Sequence, residues 1–304
     1  MIFENLTKNR KAELTTKQLV MIIVLIVSFI IILFLIFRLD LGKTTEKEIC
    51  HNSVVTRGSS VLPVESVPLK CQRSYVCITA DNTCEAMTKP IKKKAKTQEE
   101  VYDILAEQLV DCWWMFGEGE INYVGKDMIG KLYCSICAQV AFDDSLNDIF
   151  PEGEIDKEAV YTYMQDNNYL EDKTYLSYLY DTNDLNGLRT ELNNQNIEFG
   201  PIDMAQQYYI MMGITSDVNV LGWAVGVAGL AVGAVLLAPI TGGIGSITLI
   251  AATVSAGAGG AFGAAFSTLI VKGLSGNDYL SPSIIQANSP EFEGLGCKSI
   301  TTLS

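Results

Sequence analysis

Residues 132–143 read LYCSICAQVAFD. Leu132, Cys134, Ile136, Ala138, Val140 and Phe142 fall on alternate positions, the period-two pattern of a strand with one apolar face. Successive side chains of a strand point to opposite faces, so Cys134 and Cys137 face apart. They cannot bond to each other without breaking the strand, and each is expected to serve its own structural disulfide. The competing reading is a thiol–disulfide oxidoreductase acting through Cys134 and Cys137. It fits less well, because a thioredoxin-like C-x-x-C opens a helix after a strand.

Working upstream, Thr97-Gln98-Glu99-Glu100 fits a capping box. Val101, Ile104, Leu105 and Leu109 follow at helical spacing and lead into Cys112-Trp113-Trp114-Met115-Phe116, after which Gly117 and Gly119 end the helix. Trp113, Trp114 and Phe116 have two readings: core packing around a disulfide, or an exposed face that binds a partner. Downstream, Pro151-Glu152-Gly153 marks a turn, and a helix is expected over 156–165. Tyr175, Leu176, Tyr178, Leu179 and Tyr180 suggest a short helix, and residues 207–214 a second strand. Residues 97–217 are long enough for their own core. Their helices and strands mix without a β-α-β rhythm, which reads as α+β. Glu118, Glu120, Asp127, Asp143 and Asp144 match no calcium-loop spacing and read as surface carboxylates. No P-loop, G-x-S-x-G or H-E-x-x-H motif occurs.

Residues 39–96 read as a Cys-containing stalk interrupted by Pro63 and Pro68. It ends in a basic run, Lys89, Lys92, Lys93, Lys94 and Lys96, which is either a solvated linker or a contact for an acidic surface. The eight cysteines are Cys50, Cys71, Cys77, Cys84, Cys112, Cys134, Cys137 and Cys297. All lie in 39–217 or 273–304, outside the apolar blocks, as an oxidised extracytoplasmic framework requires. Local pairing is expected among the first four, and Cys297 is expected to staple the tail back to the domain. Paired C-x2-C arms are lacking, so no metal is assigned.

Two apolar blocks flank this region. Residues 19–37, LVMIIVLIVSFIIILFLIF, carry no charge and match the length of a membrane-crossing helix. Lys8, Arg10, Lys11 and Lys17 precede it, and Arg38, Lys43 and Lys47 follow it. This bias places residues 1–18 in the cytoplasm and the chain beyond a 19–38 span outside. Residues 218–271 carry no charge until Lys272. Pro239, Thr241, Gly242, Gly243 and Gly245 break them into two expected helices, 220–237 and 247–271, a transmembrane hairpin over 218–272. Gly222, Gly226, Gly229 and Gly233, with Gly259 and Gly263, form small-residue faces for packing the hairpin or assembling a homo-oligomer. A pore-forming or fusogenic protein would also use such a hairpin.

The chain has 304 residues and a formal net charge of −13, with 48% hydrophobic and 19% charged residues. Mean hydropathy is +0.22. The acidic balance speaks against nucleic acid as a partner. The single histidine, His51, excludes a two-histidine metal site and argues against a histidine-based triad. No catalytic residue and no cofactor is assigned.

Lys11-Ala12-Glu13-Leu14 resembles the processing site of archaeal prepilin-like proteins. Together with the run DCWWMFGEG at 111–119, it makes the chain resemble Cys-rich, membrane-anchored proteins of archaeal type. That resemblance covers little of the chain and implies no activity. The expected architecture is therefore α+β: a small disulfide-bonded extracytoplasmic domain, an N-terminal transmembrane helix and a Gly-rich transmembrane helical hairpin, three spans in all, with an extracytoplasmic tail at 273–304. The expected function is a cell-envelope protein whose partners are the lipid bilayer, a second copy of itself or another envelope protein.

Overall fold

The computed structural model describes residues 16–38, 45–61, 63, 66–125, 132–183, 185–194, 199–215, 231–236, 247–255, 266–272, 278–295 and 297–299. The chain divides into two units, Met1–Thr45 and Glu46–Ser304. The first contributes one helix, α1 (Thr16–Arg38), with side chains described for residues 18–32 and 34. From Leu19 to Ile32 its large apolar side chains are all exposed.

The second unit is α+β. Its elements begin with α2 (Glu46–Ser59), β1 (Ser74–Thr79), β2 (Ile91–Lys94), α3 (Gln98–Met115) and β3 (Tyr133–Phe142). They continue with β4 (Glu154–Asp156), α4 (Lys157–Asp166), β5 (Asn168–Leu170), β6 (Lys173–Thr174), α5 (Tyr175–Tyr180) and α6 (Leu185–Asn194). After β7 (Pro201–Asp203) come β8 (Tyr208–Thr215), β9 (Ala231–Leu236), β10 (Ile247–Ser255), β11 (Phe266–Lys272) and β12 (Asp278–Gln286). A short α7 (Pro290–Gly294) and β13 (Lys298–Ser299) end the described chain.

One large sheet has the order β2-β1-β3-β8-β12-β11-β10-β9, with β13 added beside the start of β3. β2, β1 and β3 are parallel, and from β3 onward neighbours on that path run antiparallel. β1 and β3 are thus parallel neighbours joined through α3, a β-α-β connection that the sequence pattern did not suggest. Residues 46–96 accordingly belong to the same unit as the rest: α2 packs on α3, and β1 is an inner strand of the sheet.

The alternation along β3 is broken by a bulge. Ile136 stands opposite Met211 and Ala138 opposite Ile210, so Cys137 is the extra residue. Leu132, Cys134 and Ile136 therefore pack with Met211, Leu280 and Leu295 on one face, while Cys137, Ala138, Val140 and Phe142 join the main core on the other. The single apolar face expected for 132–142 is two half-faces, because an inserted residue reverses the parity of every side chain after it. β12 has a matching irregularity between Leu280 and Ser283, around Pro282. β8 stays regular: Tyr208, Ile210, Met212 and Ile214 face the main core, and Met211 faces the smaller cluster. Gly213 suits that smaller face, since an added Cβ would stand 2.9 Å from Leu132 Cδ1 and 3.2 Å from Leu280 Cβ.

Two further expectations are corrected. Within 218–271 the described residues are strands, not a helical hairpin: β9 pairs β10, β10 pairs β11, and β11 pairs β12, all antiparallel. The physical reason lies in β-branched Ile247, Thr248, Ile250, Thr253, Val254, Thr268, Ile270 and Val271, which favour a pleated strand, and in glycines, each of which costs a helix about 1 kcal/mol relative to alanine. Among the described residues no helix is long and apolar enough to cross a membrane. The three-span architecture is not what the structure shows.

Candidate interaction surface

All eight cysteines are paired, as Cys50–Cys71, Cys77–Cys84, Cys112–Cys137 and Cys134–Cys297. The Cys134 and Cys137 sulfurs lie on opposite faces of β3 and belong to different bonds. Cys112–Cys137 ties α3 to the sheet, and Cys134–Cys297 ties the tail to the other face.

The aromatic trio at the end of α3 is split by helical geometry. Trp113 and Phe116, close to one turn apart, point into the core with 4% and 2% of their surface exposed. Trp113 meets Tyr279 edge-on at 6.3 Å, and Phe116 packs on Tyr123 at 5.2 Å. Trp114 is rotated outward and partly exposed. His51 stacks on it, with ring centroids 4.2 Å apart and planes 10° from parallel, and His51 Nδ1 donates to the Trp114 carbonyl at 2.7 Å. An exposed contact face made of Trp113, Trp114 and Phe116 is therefore corrected: two of the three are core. Of the glycines expected to pack helices, Gly233 lies in β9 opposite Thr253. Gly222, Gly226, Gly229, Gly259 and Gly263 lie outside the described residues.

The outer face of α3 carries a feature that the sequence reading passed over. Glu99, Asp103, Glu107 and Asp111 recur at four-residue steps, which sets all four on one helical stripe. Like charges at this spacing weaken a helix by a few tenths of a kcal/mol per pair (about 0.2–0.5). The surroundings offset this. Tyr163 and Tyr175 both donate to Asp103 Oδ1 at 2.9 Å, Lys93 Nζ lies 3.4 Å from Glu107, and Lys47 pairs with Asp111. Past the end of the helix, Tyr178 donates to Glu118.

These phenols belong to a row of rings running from α3 over α4, β5 and α5. Centroids are 6.2 Å apart for Tyr102–Tyr163 and again for Tyr163–Tyr175. They are 5.6 Å apart for Tyr175–Tyr169 and 4.8 Å for Tyr169–Tyr178. Spacings of this size are those of favourable aromatic pairs. Tyr175 is buried, Tyr102, Tyr163 and Tyr178 are half-buried, and Tyr169 and Leu170 are 39% and 45% exposed. Burial pushes the Tyr163 hydroxyl up to about 12, and its bond to Asp103 pushes the same way. Burial also raises Tyr169, with the charges of Asp111, Glu118 and Glu107 adding to it. Tyr178 rises through burial and then through Glu118. The row thus lies in a negative potential.

A second polar group closes the carboxyl ends of β1 and β3. Asp81 accepts from Thr83 through side chain and backbone, at 2.6 and 2.8 Å, and from Thr79 at 3.1 Å. These bonds hold its carboxyl down at about 2. Burial pushes Asp143 up, but bonds from Ser145 and Thr83 outweigh it and leave the group below its usual range. The geometry is that of side chains capping a loop and a 3-10 turn, and the Cys77–Cys84 bond holds the same loop. Among the described residues no group of three or more His, Cys, Asp or Glu is placed to hold a metal ion. Asp127 lies outside them.

The carboxylate stripe was legible in the sequence as a four-residue repeat. The tyrosines that complete it were not, because they arrive from three other elements. No family model, no curated protein and no solved structure matches the chain.

Proposed function

We propose that this is a non-enzymatic protein anchored at a lipid bilayer through the exposed apolar surface of α1, presenting its disulfide-bonded α+β unit in an oxidising, extracytoplasmic compartment for contact with another macromolecule. The observation that carries it is the pairing of all eight cysteines in four disulfides. Glutathione and thioredoxin keep such bonds open in an ordinary cytosol. Because Cys134–Cys297 joins the tail to β3, both Cys-bearing segments share one compartment. The apolar row Leu19–Ile32 needs an apolar surrounding, and acyl chains supply one. The separate bonds of Cys134 and Cys137 count against a redox role for C-x-x-C.

The test is thiol blocking in intact cells, followed by fractionation and mass spectrometry of the cysteines. The expected result is a protein that stays in the membrane fraction through alkaline carbonate, with the four bonds above and no free thiol. Recovery with eight free thiols would overturn the compartment, and recovery in the soluble fraction would overturn the anchor.

A further inference from the structure

We propose that the second face of the sheet, around Arg73, Tyr75 and Gln139, binds a polysaccharide bearing carboxylates. The proposal names a partner class for the second unit and rests on the reading of that unit as a contact domain.

The register lays a row of side chains across three inner strands on that face. Tyr75 of β1 stands opposite Gln139 of β3, and Gln139 opposite Tyr209 of β8. At the usual strand spacing the row spans roughly 10 Å, the length of a disaccharide. Arg73 lies over the Tyr209 ring, 5.1 Å from its centroid, and Phe292 packs on the same ring at 5.0 Å. The guanidinium is thereby held in place. Yet Arg73 is exposed, and among the described residues it has no carboxylate and no hydrogen-bond acceptor, in a chain of net charge −13. Its planar fork matches a carboxylate through two parallel N–H bonds. Beside it, Gln139 Nε2 donates to Gln207 Oε1 at 2.5 Å, and Gln207 Nε2 donates to the Ala86 carbonyl at 3.0 Å. This chain fixes the amide and leaves Gln139 Oε1 to accept from a sugar hydroxyl. Tyr75, 48% exposed, offers its ring to the C–H face of a pyranose. Lys92 and Lys94 stand opposite Cys77 and Thr79 and so share this face, whereas Lys93 turns to Glu107 on the other. The basic run thus adds positive charge beside Arg73. An added peptide strand finds no open ladder groups here, because β1 and β3 are inner strands. A purely apolar partner would bury Arg73 unpaired.

A fluorescently end-labelled hexamer of galacturonic acid is the probe, titrated by anisotropy against the full chain in nanodiscs of a zwitterionic lipid. Binding is expected to weaken with added salt, about tenfold with Arg73→Ala and about threefold with Tyr75→Ala. Tyr75→Phe keeps the ring and should bind as the unchanged chain does. Lys173→Gln removes a positive charge from the separate β5–β6 pair and is expected to change nothing. Equal loss with Lys173→Gln and Arg73→Ala, no loss with Tyr75→Ala, or no binding by the unchanged chain would overturn the site. So would displacement of the probe by hexaglutamate or by a thymidine hexanucleotide at or below the concentration that the unlabelled galacturonate hexamer needs. Circular dichroism of each variant separates lost binding from lost folding. Because the assay uses purified protein, its outcome is independent of the compartment and anchoring that the thiol and fractionation test decides.

Discussion

Asp103 is the residue on which the outer layer converges. One of its oxygens accepts from two phenols delivered by α4 and by α5. Asp103→Asn keeps the shape and removes the charge. The Tyr163 hydroxyl, pushed up to about 12 first by burial and then by this carboxylate, is expected to titrate lower in the variant, yet still above its ordinary value of about 10 because burial persists. Phenolate absorbance against pH measures this directly, and an unchanged titration would mean that burial alone sets the shift. The same phenols fix the alkaline limit of the fold. Tyr163 and Tyr208 keep their protons to about 12, whereas an unfolded chain releases them near 10. Between those values the folded chain binds more protons than the unfolded one, so stability falls as pH rises. Below about 10 their contribution is complete, and urea midpoints are expected to be flat from neutral pH to about 10 and to drop steadily above it.

At the scale of elements, what could be read from sequence was what local chemistry decides. Thr97 caps α3 by accepting from Glu100 N at 3.2 Å, so the forward half of the box foreseen from four residues is formed, while the Glu100 side chain reaches back one residue further, to the Lys96 amide at 2.5 Å. Thr97→Ala is expected to cost about 1 kcal/mol, read from urea unfolding of the second unit. The end of α3 was equally local: Gly117, Glu118 and Gly119 all take positive φ, and a Cβ on Gly117 would strike Ile121 at 2.6 Å. The opposite orientations of Cys134 and Cys137 also followed from strand geometry. The reading of a single apolar face on β3 failed two residues later, because a bulge is set by the partner strand and not by the strand's own pattern. The block at 218–271 failed for another reason. An uninterrupted apolar run has no period, so its length suggested helices where its β-branched residues make strands. The outer face of α3 was half legible: its carboxylates repeat every four residues, but Tyr169, Tyr175 and Tyr178 join it only once β5 and α5 fold against it.

Across the whole molecule, the two faces of the sheet are closed by different means. Helices α3, α4 and α5 and their aromatic side chains build the main core on one face. The described cover of the other is slight: Phe292, Leu295 and Cys297 of the tail lie over Leu132, Met211, Leu280 and Ile285, while β13 pairs with Tyr133 and Cys134. So small a patch buries little apolar surface, and the Cys134–Cys297 bond makes its attachment covalent. This bond spans 163 residues, against 7 for Cys77–Cys84. Loop-closure entropy then predicts that opening the long bond costs about 5 kcal/mol and opening the short one about 2 kcal/mol. The Cys134→Ser/Cys297→Ser double variant should lose the larger share of stability in urea, and hydrogen exchange should quicken first in β12 and β8, where the tail no longer shields Leu280 and Met211. The main core does not depend on the tail, so α3 should keep its protection. A Cys77→Ser/Cys84→Ser variant that proved the weaker of the two would show that the tail is held by packing alone, and that the bond closing 163 residues contributes little to keeping the second face dry.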